Sequence, residues 1–529
     1  MRNSLTIRSW CFLVVLSAAS APTAQAGKAS LREAAAMLTA GNYIRHVQYL
    51  ADDRRGGRLP GTPGMRDAAE YIAEQFREAG LAPGGPDGSF FQTFELDALK
   101  KLDKDRATFA LADGSRRWRY GEDFVTFPFS AVGAGEGPLA FAGFGIEAPD
   151  HDYDDYAGFD AKGKVLLVLR GEPKSEDENA KFGGKNASLY ATFVRKARVA
   201  AEHGAVALLV VNTPGHEPKE DKLYSWSRRD ARTSYRLPML HVSRTTADEL
   251  LAQAGMPDLA TLAQQLESER RSLSTDMGSL RVRVETGLST TTARNVIGVL
   301  EGRSAPDEYL VIGAHHDHVG VTRPRNDRGA GEQIHNGADD NASGTAGVIE
   351  LARVFAAGPR PRRSIIFMTF SAEELGLLGS QYYAEHPTVP IESIRAMLNF
   401  DMIGRVGQHK LQIFGVPTAR EFAPLLEKYG RRFGVEYEPQ GPDHPLFSRS
   451  DHASFYDKGV PVLFMFTGLH GDYHLPGDDW ELIDARGAAT LLRFAHAIVW
   501  DLANMRKGPT LVTEAESEAS RENARDAGD

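Results

Sequence analysis

Between residues 280 and 505, short apolar runs alternate with amphipathic stretches, and this alternation limits the fold more than any other feature. The strand-length runs are "EYLVIGA" (308–314), "SIIFMTF" (364–370), "AMLNFDM" (396–402), "KLQIFG" (410–415) and "PVLFMF" (461–466). Helices fit residues 344–357, 374–386, 418–433 and 487–503. Runs that are apolar on both faces suit strands covered from both sides. The predicted class is therefore α/β, a mostly parallel twisted sheet sandwiched by helices. Ligand sites in such folds gather at the carboxyl ends of the strands.

Metal-competent side chains fall at those ends. In "GAHHDHVG" (313–320), His315 and Asp317 directly follow a strand; Glu373 and Glu374 follow the next, and Asp401 closes the third. "GADDN" (337–341) puts Asp339 and Asp340 just before a helix, and "GDYHLPGDD" (471–479) puts His474 just after a strand. Five segments thus bring acids or imidazoles to one edge of one sheet, which scattered surface carboxylates do not explain. Extended backbone alternates its side chains, so His315 and Asp317 share one side while His316 and His318 face the other. Only the first pair suits a common site. A ligating imidazole needs its second nitrogen held by an acceptor, a role open to Asp317.

The rest of the chain sets the surroundings. Arg2 and Arg8, the apolar "WCFLVVLSAASA" and the small-residue "AQA" (24–26) read as a secretory signal over residues 1–26. Cys11, the only cysteine, lies inside that segment, so a mature chain has no disulfide, thiolate ligand or cysteine nucleophile. Any transition-metal site must then be built from His, Asp and Glu. A composition of 42% hydrophobic and 25% charged residues argues for a globular chain, and a formal charge of −10 gives nucleic-acid binding no support. "DAAEYIAEQFREAG" (67–80) reads as a helix ending at Gly80. Glycine-bounded runs at 137–145, 163–171 and 204–212 read as buried strands, with a helical stretch at 188–203.

"HHD", "NGADDNASG", "SAEELGLLGS", "NFDMIG" and "SDHASFYDKGVPVLFMFTGLHGDYHLPGDD" together resemble the zinc-dependent aminopeptidases of the MH clan, which carry two co-catalytic zinc ions. "GRLPGTPG" (57–64) and "ARNVIGVLEG" (293–302) extend the resemblance, and "GKVLLVLRG" (163–171) resembles an inserted protease-associated domain. The implied organisation is a signal peptide (1–26), an N-terminal part of the peptidase domain (27–130), a protease-associated insertion (131–275), the catalytic zinc domain (276–506) and a disordered acidic tail (507–529).

The resemblance implies that His315 and Asp401 bind one zinc, Glu374 and His474 the other, and Asp339 bridges both. Asp317 would orient His315. Asp340 would shape the backbone at Asp339, where the family commonly has a strained peptide link. Asp451 and Asp478 would support the shell. Glu373 would be the general base that deprotonates a metal-bridged water and reprotonates the leaving amine. Phe447 stands where some members have an oxyanion-binding tyrosine, so that role goes to Tyr473. His470 has no spacing that makes it a ligand. Phe447, Arg449 and Phe466 are candidates for the substrate wall.

Two Zn²⁺ ions per subunit, peptide substrates, export to the periplasm or beyond, and no stable membrane anchor after signal cleavage follow from the same reading. Neither H-E-x-x-H nor G-x-S-x-G occurs, which removes two other hydrolase classes. A dizinc carboxypeptidase or deacylase, a single-zinc glutaminyl cyclase and a non-catalytic receptor on the same fold stay open as alternatives.

Overall fold

The structure, a computed structural model, describes residues 29–512 except 176, 178, 181, 183, 185, 217–218, 228–229, 231–233, 270 and 323–330. The expected signal segment and most of the acidic tail lie outside the described residues. No described helix is long and apolar enough to cross a membrane.

Two sheets organise the chain. The larger runs in the order Ala82–Pro83, Leu288–Leu300, Arg363–Phe370, Ala305–His315, Ile394–Phe400, Val462–Phe466, Leu411–Phe414 and Tyr437–Gln440. Its four central strands, from Arg363–Phe370 to Val462–Phe466, are mutually parallel, and its flanking pairings with Leu288–Leu300 and Leu411–Phe414 are antiparallel. Strand Arg363–Phe370 is buried at every position, as a strand covered on both faces requires. Apolar clusters fill both sides: one gathers Ile312, Phe367, Leu398 and the helices Gly344–Ala357 and Ala485–Asn504, the other Val311, Met368, Met397 and Phe464.

Local chemistry sets the helix ends. Thr62 caps Pro63–Glu78 through its side chain, with proline at the first position, and Gly80 takes φ +78° just beyond it. The stripe Ala69, Ile72, Ala73 and Phe76 is buried.

The smaller sheet has the order Thr108–Leu111, Thr275–Glu285, Ala134–Phe141, Val165–Leu169, Ala207–Val211, Met239–Val242 and Phe124–Thr126. It has its own core, with Phe109, Phe141, Leu167 and Leu209 on one face and Leu166, Leu208 and Met239 on the other. The chain leaves the larger sheet after Phe91–Leu102 and returns through Leu288–Leu300, which pairs with it antiparallel. The smaller sheet thus takes strands from before residue 131 as well as from within 131–285. Thr108–Leu111 pairs antiparallel with Thr275–Glu285, and Phe124–Thr126 with Met239–Val242.

The first residues of the expected tail make backbone contacts. Thr510 N donates to Glu421 Oε2 at 2.8 Å and Val512 N to Thr418 O at 3.0 Å, so residues 510–512 lie against residues 418–421.

Candidate metal centre

All five segments singled out in the sequence converge beyond the carboxyl edge of the parallel strands. His315 is the last residue of Ala305–His315, Glu373 and Glu374 follow Arg363–Phe370, and Asp401 follows Ile394–Phe400. Tight turns aim them. Ala372, Leu377, Met402 and His474 all have positive φ, a conformation non-glycine residues hold only where surrounding contacts enforce it. Asn341 joins two of the segments: its Nδ2 donates to Phe400 O at 2.9 Å, and its Oδ1 accepts from Gly344 N at 2.9 Å and Met402 N at 3.2 Å.

The donor atoms form two groups that share one residue. His315, Asp340 and Asp401 make the first; His318, Asp340, Glu374 and His474 make the second. His315 Nε2 lies 3.3 Å from Asp340 Oδ1 and 3.3 Å from Asp401 Oδ1. On the other side, His474 Nε2 lies 3.0 Å from Asp340 Oδ2 and 3.0 Å from Glu374 Oε2. Ligands at about 2.0–2.1 Å from a tetrahedral Zn²⁺ are about 3.3 Å from one another. The spacings and the mixed oxygen and nitrogen donors therefore fit zinc.

This geometry corrects the expected bridge. Asp339 joins neither group; its Oδ1 accepts from Gly404 N at 2.6 Å and its Oδ2 faces His470 Nε2 at 3.3 Å. Asp340 points the other way and presents one oxygen to each group. The irregular turn Ala338–Ser343 separates the two neighbouring side chains, with Asp340 at φ −105°, ψ 94° and Asn341 at φ −133°, ψ 47°. The peptide between Asp340 and Asn341 is cis, one residue after the link expected at Asp339.

His318 is the residue the sequence reading missed. Strand alternation set it apart from His315, but the strand ends at His315, so the rule no longer applies three residues on. His318 Nδ1 lies 2.8 Å from Glu374 Oε1. His316 behaves as expected of a bystander: its ring is buried away from both groups, and burial holds its pKa down to about 3.

Asp317 meets His315 more closely through its backbone than through its side chain. Its backbone O, at 3.2 Å, is nearer to His315 Nδ1 than its carboxylate, at 3.7 Å. The carboxylate instead accepts from Glu373 N at 3.1 Å and Glu374 N at 3.4 Å, fixing the turn that carries both glutamates. Asp478 holds the bridge segment in the same manner: its Oδ2 accepts from Asp339 N at 2.9 Å and Asp340 N at 3.0 Å, and its Oδ1 from buried Arg405 at 3.1 Å. Ser450 donates to Asp401 Oδ2 at 2.7 Å, while the neighbouring Asp451 is buried and burial lifts its pKa to about 7.

Electrostatics follow from burial and crowding. Asp317, Asp339, Asp340, Asp401, Asp451 and Asp478 are all buried, against the guanidiniums of Arg58 and Arg405. That excess of negative charge calls for cations. Burial raises the Glu373 pKa well above the ordinary range; His315 opposes the shift, and Asp401, Asp451 and Glu374 add to it. Glu373 Oε2 is 3.9 Å from His315 Nε2. Burial would lower His474, but its bonds to Asp340 and Glu374 outweigh that and push it up to about 10. The Tyr473 ring stacks on His474 with centroids 3.9 Å apart; burial first, then Asp340 and Glu374, raise its phenol. Phe447 and Phe466 are buried in the apolar cluster against which Tyr473 packs, and Arg449 is exposed.

Beneath the centre, Arg58 is fully buried and binds four carbonyls: His316 O at 2.9 Å, Leu50 O at 2.7 Å, Asn336 O at 2.7 Å and Gly337 O at 2.9 Å. It ties the front "GRLPGTPG" segment to the chain on both sides of the cluster.

A group of buried carboxylates and imidazoles on the edge of an α/β sheet has the make-up of a divalent-metal centre of a hydrolase. Residues 295–499 match peptidase family M28 and residues 135–250 match the PA domain. The segment that carries the cluster is thus similar to M28 peptidases, and the smaller sheet to PA domains. It is similar to a probable lipoprotein aminopeptidase of Mycobacterium tuberculosis, 24% identical over 80% of this chain and 73% of that protein. An aminopeptidase of Pseudomonas aeruginosa is 26% identical over 82% of this chain and 72% of its own length. Among solved structures, an aminopeptidase from Aneurinibacillus sp. strain AM-1 aligns at 22% identity with a TM-score of 0.47, covering 92% of this chain and 98% of that one.

Proposed function

We propose that this protein is an exported zinc aminopeptidase that holds two ions around Asp340 and releases N-terminal residues from peptides. The sharing of Asp340 between two donor groups, with Glu373 beside them, carries this reading. His315 and Asp401 would complete one position, and Glu374 and His474 the other. The basic start, apolar run and small-residue "AQA" of residues 1–26 support export.

Bound zinc supplies a Lewis acid for the scissile carbonyl and lowers the pKa of an attacking water. The chain's own residues do the rest. Glu373 is held at the mouth of the turn by Asp317, and its carboxylate makes no ligand contact, so it is free to take a proton and return it to the leaving amine. Burial raises its pKa, which favours the protonated form that returns a proton to the leaving amine. Tyr473, kept protonated by its surroundings, would donate its O–H to the oxygen that gains charge as the carbonyl is attacked.

The test is hydrolysis of aminoacyl p-nitroanilides, their N-acetylated forms and N-blocked peptides with free carboxyl ends. The expected result is cleavage of the free-amine substrates alone, lost with a zinc chelator and restored by zinc. Cleavage of the N-blocked, free-carboxyl peptides instead would reject the aminopeptidase reading in favour of a carboxypeptidase.

A further inference from the structure

We propose that His318 is a positioning residue: its Nδ1–H is donated to Glu374 Oε1, which turns Oε2 of the same carboxylate toward the metal position shared with His474 and Asp340. The inference rests on the dimetal reading above. Glu374 divides its oxygens cleanly, with Oε1 2.8 Å from His318 Nδ1 and Oε2 3.0 Å from His474 Nε2.

Distances separate a hydrogen-bond donor from a fourth ligand. The contacts of His315 and His474 with carboxylates in their groups are 3.0–3.3 Å, near the tetrahedral edge of about 3.3 Å. His318 departs from this on both sides: 2.8 Å to Glu374 Oε1 is a hydrogen-bond length, and 3.8 Å to Asp340 Oδ2 is too long for a neighbouring vertex.

The second ring nitrogen gives independent support. A ligating imidazole hands its other N–H to an acceptor, and His315 does so through Nδ1 facing Asp317 O at 3.2 Å. His318 Nε2 is buried with no hydrogen-bond partner among the described residues. Metal on Nδ1 would force the proton onto Nε2 and strand a buried N–H. With the proton on Nδ1, the ring makes one strong bond to a carboxylate.

The ring is also held fast. His318 is fully buried, its backbone N donates to Arg58 O at 3.2 Å, and a Cβ on Gly337 would stand 2.5 Å from His318 Cδ2. The absence of a side chain at Gly337 is what lets the imidazole lie against this turn.

The experiment compares wild-type protein with His318→Leu, which removes the donor, and His318→Asn, whose amide can restore it. Zinc content at saturation, zinc affinity by chelator competition and the intensity of the cobalt-substituted absorption bands are measured for each. Expected are two ions and an unchanged cobalt spectrum in all three proteins. One of the two zinc affinities should fall about 10–100-fold in the leucine variant and recover in the asparagine variant. Loss of one ion at saturation, or a cobalt spectrum of altered coordination number, would make His318 a ligand and overturn the proposal. Unchanged affinity in the leucine variant would overturn it too. If that variant does not fold, loss of an ion from the asparagine variant gives the same refutation, and retention of both at near wild-type affinity supports the hydrogen bond. A wild-type protein that binds no zinc would instead reject the dimetal reading, and this inference with it.

Discussion

Replacing Glu373 by glutamine keeps the size and shape of the side chain and removes only its ability to carry a proton. The structure sets what is at stake. The Glu373 carboxylate lies 3.9 Å from His315 Nε2, and its side chain is 12% exposed, so bulk water has little access to replace it. Of the other carboxylates that raise its pKa, Asp401 and Glu374 stand in the donor groups, as does Asp340, and Asp451 is fully buried. The whole general-base contribution should therefore be lost, about 10²–10⁴-fold in kcat. That corresponds to roughly 3–5 kcal/mol in the barrier. Glu373 N still donates to Asp317, so the turn carrying Glu374 stays in place and the zinc content should be unchanged. Steady-state kinetics on an aminoacyl p-nitroanilide, with metal analysis of the same sample, measure both quantities. A variant with two zinc ions and kcat within tenfold of wild type would refute the role given to Glu373.

Other expected outcomes follow from the surroundings. Arg58→Met leaves the carbonyls of His316, Leu50, Asn336 and Gly337 without their donor, at about 1–3 kcal/mol for a buried orphaned group, so urea unfolding should show a loss of at least about 3 kcal/mol. A loss below 1 kcal/mol would contradict the anchoring role. Gly337→Ala places a Cβ 2.1 Å from Asp340 O at φ +55°; the left-handed backbone alone costs about 1–2 kcal/mol, and zinc affinity should fall with it, so an alanine variant with wild-type melting and zinc binding would count against the geometry. His496 is held neutral by burial, its pKa lowered from 6.5 to about 4. The unfolded chain therefore binds the extra proton below pH 6.5, and stability is lost as pH falls toward 4. His496→Phe, set against Phe355, should remove about 2 kcal/mol of the decline between pH 7 and pH 5, and parallel pH profiles for the two proteins would contradict this.

The strand-helix alternation gave the central sheet directly, because strands buried on both faces carry little besides apolar side chains. Helix Gly344–Ala357 matches its expected bounds, and the expected strands differ from the observed ones by a few residues at their ends. The convergence of His315, Glu374, Asp401 and His474 was legible for the same reason: each follows a strand whose direction the alternation dictates. The direction of a side chain inside a turn was not. Asp339 and Asp340 are neighbours of the same chemistry, and only the dihedrals of Ala338–Ser343 decide which faces the cluster. His318 escaped because period-two alternation was carried past the end of its strand. A strand's pairing partner is likewise set by contacts far along the chain, as Thr108–Leu111 beside Thr275–Glu285 illustrates.

The central claim is that Asp340, not Asp339, is shared by two metal positions. Anomalous diffraction at the zinc edge from crystals of the zinc-loaded protein tests it most directly. Expected are two peaks, one on each side of the Asp340 carboxylate, the first against His315 and Asp401 and the second against Glu374 and His474. A single peak, or peaks centred on the Asp339 carboxylate, would contradict it.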